Sequence, residues 1–89
     1  MVKLFVRQNV ADYAAWRAVY DAFESQHLAL GGRTRAVYQS LDDPKNVTVD
    51  HDFDSIEAAQ AFVGSAELRE AMGQAGMIGD PQIWFATER

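Results

Sequence analysis

Asp12-Tyr13-Ala14-Ala15-Trp16-Arg17-Ala18-Val19-Tyr20-Asp21-Ala22-Phe23-Glu24-Ser25-Gln26-His27-Leu28-Ala29-Leu30 carries the clearest periodicity in the chain. Tyr13, Trp16, Tyr20, Phe23, His27 and Leu30 recur at intervals of 3, 4, 3, 4 and 3 residues. That spacing sets all six on one stripe of an α-helix. Asp12 stands at the N-cap position, where a short carboxylate accepts a bond from a free backbone N–H of the first turn. Gly31 and Gly32 stop the helix, because glycine takes the left-handed cap conformation at no steric cost. The expected helix is about 18 residues, roughly 27 Å.

The sequence on either side reads as strands. Val2 to Gln8 is an apolar, β-branched and aromatic stretch with Lys3 and Arg7 interleaved, and forms strand one. Arg33 to Ser40 and Val47 to Phe53 form strands two and three, joined at Asp42-Asp43-Pro44-Lys45-Asn46 as a hairpin. Asp54 or Ser55 caps a second helical region, Gly64-Ser65 interrupts it, and it stops at Gly76. Gly79-Asp80-Pro81 is a loop before strand four, Gln82 to Thr87. The order βαββαβ is the ferredoxin-like plan: an α+β fold with a four-stranded antiparallel sheet and both helical regions on one face.

Composition bounds the function. Eighty-nine residues form a single domain, 1–89, because a second core would lack side chains to fill it. A hydrophobic fraction of 48% excludes disorder driven by charge. The absence of cysteine excludes disulfides, zinc ribbons and a thiol nucleophile, and fits a cytoplasmic location. The net charge of −5 argues against nucleic acid as a partner. The longest runs without a charged residue, Ala58 to Ala66 and Ala71 to Gly79, are too short to span a membrane. Arg7 breaks the N-terminal apolar stretch, against a signal peptide. No GxGxxG, P-loop, GxSxG or HExxH motif occurs.

Strands one and four are apolar on both faces, in Leu4-Phe5-Val6 and Ile83-Trp84-Phe85. A sheet with water on one side alternates instead. The face away from the helices therefore needs a cover, and a second copy of the chain is the simplest one. The expected partner is the protein itself, as a homodimer.

Val10-Ala11-Asp12-Tyr13-Ala14-Ala15-Trp16, Asp54-Ser55-Ile56-Glu57-Ala58-Ala59 with Phe62, Ser65-Ala66-Glu67-Leu68-Arg69-Glu70-Ala71-Met72, and Ala75-Gly76-Met77-Ile78-Gly79-Asp80-Pro81 before Ile83-Trp84-Phe85 carry a resemblance over nearly the whole chain. The chain resembles the dimeric α/β-barrel superfamily. That superfamily includes antibiotic-biosynthesis monooxygenases, haem-degrading relatives, muconolactone isomerases and small bacterial proteins loosely called cyclases. The resemblance implies two four-stranded sheets paired into an eight-stranded barrel, with substrate between the helices and sheet of each subunit. It does not extend to haem. The haem-degrading members hold iron with a histidine on the second long helix, and no histidine lies between Ile56 and Gly76 here. Phe53 stands where they carry a tryptophan, and only Asn9 matches their polar asparagine. The resemblance thus implies no cofactor.

The candidate site residues are few. His51 shares strand parity with Val47, Val49 and Phe53, opposite Thr48, Asp50 and Asp52, so it faces the helices. His27 is the one polar member of the helix stripe. Both imidazoles then enter the same apolar layer, where His51 and His27 are the candidate catalytic acid or base. As a plain core histidine, His27 gains from the helix C-terminal dipole when protonated. Tyr13, Trp16, Tyr20, Phe53 and Trp84 are the candidate ligand-binding residues, for a small apolar, aromatic or polyketide-like molecule. Arg33 and Arg35 share a parity and are expected to neutralise Asp50, Asp52 and Asp54 across the hairpin. No metal spacing occurs. The expected activity is cyclisation, isomerisation or cofactor-free oxygenation, against a non-catalytic ligand-binding or protein-interaction dimer.

Overall fold

The computed structural model describes all 89 residues. The chain runs β1 (Val2–Val10), α1 (Tyr13–Ala22), α2 (Glu24–Ala29), β2 (Ala36–Gln39), β3 (Asn46–Phe53), α3 (Ile56–Val63), α4 (Ala66–Gln74) and β4 (Met77–Ala86). The four strands form one sheet in the order β2-β3-β1-β4, every pair antiparallel. This is the ferredoxin-like arrangement expected from the element order. The core is the layer between sheet and helices. Leu4, Val6, Val47, Val49 and Phe53 point up from the strands, and Trp16, Phe23, Ala59 and Phe62 point down from the helices.

Four local expectations are corrected. The first helix is two helices, divided at Phe23 (φ −81°, ψ −6°). The Phe23 N–H is shared between the carbonyls of Val19 (3.1 Å) and Tyr20 (3.2 Å), which tightens that turn toward 3₁₀ geometry. The stripe survives the break, since Trp16, Phe23 and His27 are all buried. Asp12 occupies the N-cap position in extended backbone, but its carboxylate makes no capping bond. Ser55 and Ser65 do cap, accepting from the N–H of Ala58 (3.1 Å) and Leu68 (3.2 Å).

Strand two is shorter than expected: regular pairing starts at Ala36, while before it the Arg33 N–H still reaches the Asp52 carbonyl (2.8 Å) and the Thr34 carbonyl accepts from the side chain of His51. Strand four is longer and begins at Met77. Gly79-Asp80-Pro81 lies inside it, where the β1–β4 register shifts between Arg7 and Asn9. Gly79 has φ +73° and Pro81 has no N–H, so pairing lapses there and resumes on both sides.

The charged row also differs. Lys3 neutralises Asp50 (3.4 Å) and Asp52 (3.2 Å), and Arg33 pairs with Asp54. Arg35 turns to the helix side, onto Asp21 (3.1 Å) and Glu24 (3.6 Å). The sheet face away from the helices carries this charge cluster beside Phe5 and Trp84, which stack at 5.2 Å. Tyr38 and Trp84 are among its exposed residues.

Gly32 follows α2 at a point where the backbone passes against the His27 ring. A Cβ there would overlap Nε2, Cδ2 and Cε1 of that ring. Gly32→Ala therefore forces a buried ring to move. It should destabilise the fold by about 2 kcal/mol, lowering Tm by roughly 10 °C. Gly73→Ala, within α4 and open on all sides, should leave Tm unchanged or raise it. Equal Tm changes in the two variants would contradict the close approach.

Candidate functional site

Two imidazoles meet in the helix–sheet layer. His27 descends from α2 and His51 rises from β3, and their ring centroids are 4.2 Å apart. They are 3% and 4% exposed, so both rings are buried. Phe62 closes on both, at 5.5 Å from His27 and 5.7 Å from His51. Phe53 meets the His27 ring edge-on at 6.2 Å.

The tautomer of His51 follows from its partners. Its Nδ1 lies 3.2 Å from the Thr34 carbonyl oxygen, which only accepts, so Nδ1 carries the proton. Nε2 is then an acceptor, and the Tyr20 hydroxyl, 3.5 Å away, donates to it. Tyr20 is held over this nitrogen by stacking. Trp16 lies on one side of it at 4.8 Å, and the Arg35 guanidinium sits over its ring at 5.0 Å. Neither ring nitrogen of His27 has a hydrogen-bond partner.

Burial governs the charge state. Desolvation, followed by the neighbouring His27, pushes the His51 imidazole down to about 4. Desolvation and Arg35 lower His27 as well. Desolvation pushes the Tyr20 phenol up to about 12. At neutral pH the layer thus holds two neutral imidazoles and a protonated phenol, with one imidazole lone pair aimed at the phenol.

These groups border a cavity of about 50 Å³. It has room for a few water molecules and is well below the usual scale of a ligand site. Beside it, a solvent-open groove of about 440 Å³ runs between α1–α2 and α4. Val19, Phe23 and Ala71 line both spaces and form the wall between them.

The candidate residues divide. His27, His51, Trp16 and Tyr20 line the cavity. Tyr13 stacks on Trp16 at 5.9 Å without lining it, and Phe53 lies in the fully buried core. Trp84 pairs with Phe5 on the opposite face of the sheet and is not part of this constellation. Three polar residues were missed. Arg35 and Glu24 line the cavity as an ion pair, and Gln8 lines it from β1. Gln8 was legible, as a polar residue sharing parity with Leu4 and Val6. Arg35 shares parity with Val37, which pairs with the core residue Val49, but its partners Asp21 and Glu24 lie on the helices and only the folded structure brings them together.

No three His, Cys, Asp or Glu side chains converge as a metal site. No helix is long and apolar enough to cross a membrane.

No family model and no curated protein sequence matches the chain. Solved structures do. A candidate antibiotic biosynthesis monooxygenase from Bordetella bronchiseptica superposes with a TM-score of 0.87 at 16% identity, over 99% of this chain and 96% of that one. SnoaB, a cofactor-independent oxygenase from Streptomyces nogalater, gives 0.81 at 12% identity, over 99% and 92%. A further candidate monooxygenase of this kind, from Caulobacter crescentus, gives 0.77 at 19% identity, over 98% and 90%. The chain is therefore built on the fold of the antibiotic-biosynthesis-monooxygenase-like proteins, as the sequence resemblance implied.

The depressed histidines make stability depend on pH. Unfolded His51 titrates near its ordinary value of about 6.5, and folded His51 only at about 4. Between those values the unfolded state binds the extra proton, so stability is complete above the window and falls as pH drops through it. The loss should reach about 3 kcal/mol by pH 4. Urea midpoints at pH 7 and pH 4.5 measure it. His51→Gln should flatten the slope, and an unchanged slope in that variant would contradict the assignment.

Proposed function

We propose that this protein is a homodimer that binds a small apolar or aromatic molecule between its helices and sheet and moves a proton on it without a cofactor. The observation that carries the reading is the Thr34–His51–Tyr20 chain beside a small, mostly apolar cavity. The Thr34 carbonyl fixes the proton on Nδ1, so the Nε2 lone pair is held toward the Tyr20 hydroxyl. Tyr20 takes a proton from the ligand as it passes its own to Nε2. The electron pair stays on the ligand as an enolate or phenolate, and His51 becomes the imidazolium. Return of the proton to another carbon completes an isomerisation. The same anion is the intermediate that a cyclisation or a reaction with dioxygen requires. A base titrating near 4 accepts protons only from an activated donor, which favours phenols and C–H groups acidified by aryl rings and a carbonyl. The fold likeness to a cofactor-independent oxygenase supports the same kind of chemistry.

The cavity as it stands is smaller than such a ligand, and joining it to the outer groove across Val19, Phe23 and Ala71 would supply the room. The small closed volume favours a second reading, a dimer that binds a ligand or a partner protein without turnover. The homodimer rests on Phe5, Tyr38 and Trp84, which leave aromatic surface on the sheet face no helix covers.

Proton abstraction is tested with anthrone, whose ring methylene is acidified by two aryl rings conjugated to a ketone. The protein should accelerate exchange of that methylene into deuterated water, followed by NMR. His51→Gln should lower the acceleration by about 10²-fold or more, and Tyr20→Phe should lower it too. Binding without acceleration would leave the non-catalytic reading. A light-scattering mass of 9.9 kDa, rather than twice that, would overturn the dimer.

A further inference from the structure

Gln8 is a polar side chain in the wrong place for a purely structural core. It lies on β1 at the parity of Leu4 and Val6, it is 5% exposed, and its Oε1 has no hydrogen-bond partner. A buried amide oxygen without a protein partner is costly to the fold unless a water or a ligand in the cavity pairs with it. It lines the same cavity as His27, His51 and Tyr20.

The sheet register sets the distance. Gln8 pairs with Val47, and Leu4 pairs with His51. Gln8 therefore stands four residues along β1 from the His51 row, about 13 Å at the rise of a strand. Val6 and Val49 pair with each other between those rows and line the cavity as an apolar floor. The cavity is thus polar at each end and apolar in the middle.

We propose that Gln8 is the specificity-determining residue at the far end of this cavity, holding a hydroxyl of an elongated ligand that carries a second polar group where it meets Tyr20 and His51. This rests on the ligand site proposed above and adds a length and a second polar group to it. A hydroxyl both donates and accepts, so it satisfies the amide from either side. Ligands with one polar end leave Oε1 unpaired and bind less tightly.

The test uses two probes, 2,6-dihydroxyanthraquinone, with hydroxyls at opposite ends, and 2-hydroxyanthraquinone, with one. Dissociation constants are measured for the unsubstituted protein and for Gln8→Met, which keeps the volume and removes the amide. The unsubstituted protein should bind the dihydroxy probe about tenfold more tightly. Gln8→Met should abolish that preference by weakening the dihydroxy probe alone. Without any ligand, Gln8→Met should raise Tm, since it removes an unpaired buried amide. A fall in Tm would make Gln8 a structural hydrogen-bonding residue and overturn the proposal, as would a preference that survives the substitution. If neither probe binds while Tm rises, the ligand class falls and Gln8 remains an unpaired site group. If both probes bind equally to the unsubstituted protein, the ligand site stands and the role of Gln8 falls.

Discussion

The hydrogen bond from His51 Nδ1 to the Thr34 carbonyl is the constraint on which the rest of the site depends. It fixes one tautomer in a layer where both imidazoles are almost fully buried. With the proton committed to Nδ1, the Nε2 lone pair has one direction, and Tyr20 occupies it. Without that bond, a buried imidazole would satisfy either nitrogen equally well and would direct nothing. Desolvation does the rest, holding His51 and His27 neutral and Tyr20 protonated.

Several irregularities of the fold gather around this bond. Strand two begins late, at Ala36, after Thr34 has given its carbonyl to His51. Gly32 leaves room for the His27 ring at the end of α2, where a side chain would displace it. The break at Phe23 separates the helix that supplies Trp16 and Tyr20 from the one that supplies His27. Arg35, freed from the ladder, ties both helices through Asp21 and Glu24 and covers the Tyr20 ring. Departures from regular structure concentrate where polar groups enter an apolar layer.

The architecture was legible because it follows from periodicity. The 3–4 spacing of Tyr13 to Leu30 and the alternation of Val47 to Phe53 each identify a face, and together they send His27 and His51 into one layer. Local chemistry was less legible. Asp12 and Ser55 stand at equivalent helix starts, yet only Ser55 turns its oxygen to a free N–H. Gly79 and Pro81 read as a loop, but the strand continues around them as a bulge, because β1 pairs on both sides. Arg35 and Trp84 depend on tertiary geometry. The first left its strand for two helix carboxylates, and the second lies on the face that parity alone did not assign.

The central claim is that His51 is a neutral, Nδ1-protonated imidazole buried between the helices and the sheet. Long-range ¹H–¹⁵N NMR of the imidazoles tests it most directly, because the two ring nitrogens of each tautomer have distinct shifts. His51 should show a protonated Nδ1 and an unprotonated Nε2 from pH 8 down to about pH 5, with titration only near 4. His27 should titrate below the ordinary value. A His51 that titrates near 6.5, or that carries its proton on Nε2, would contradict the account.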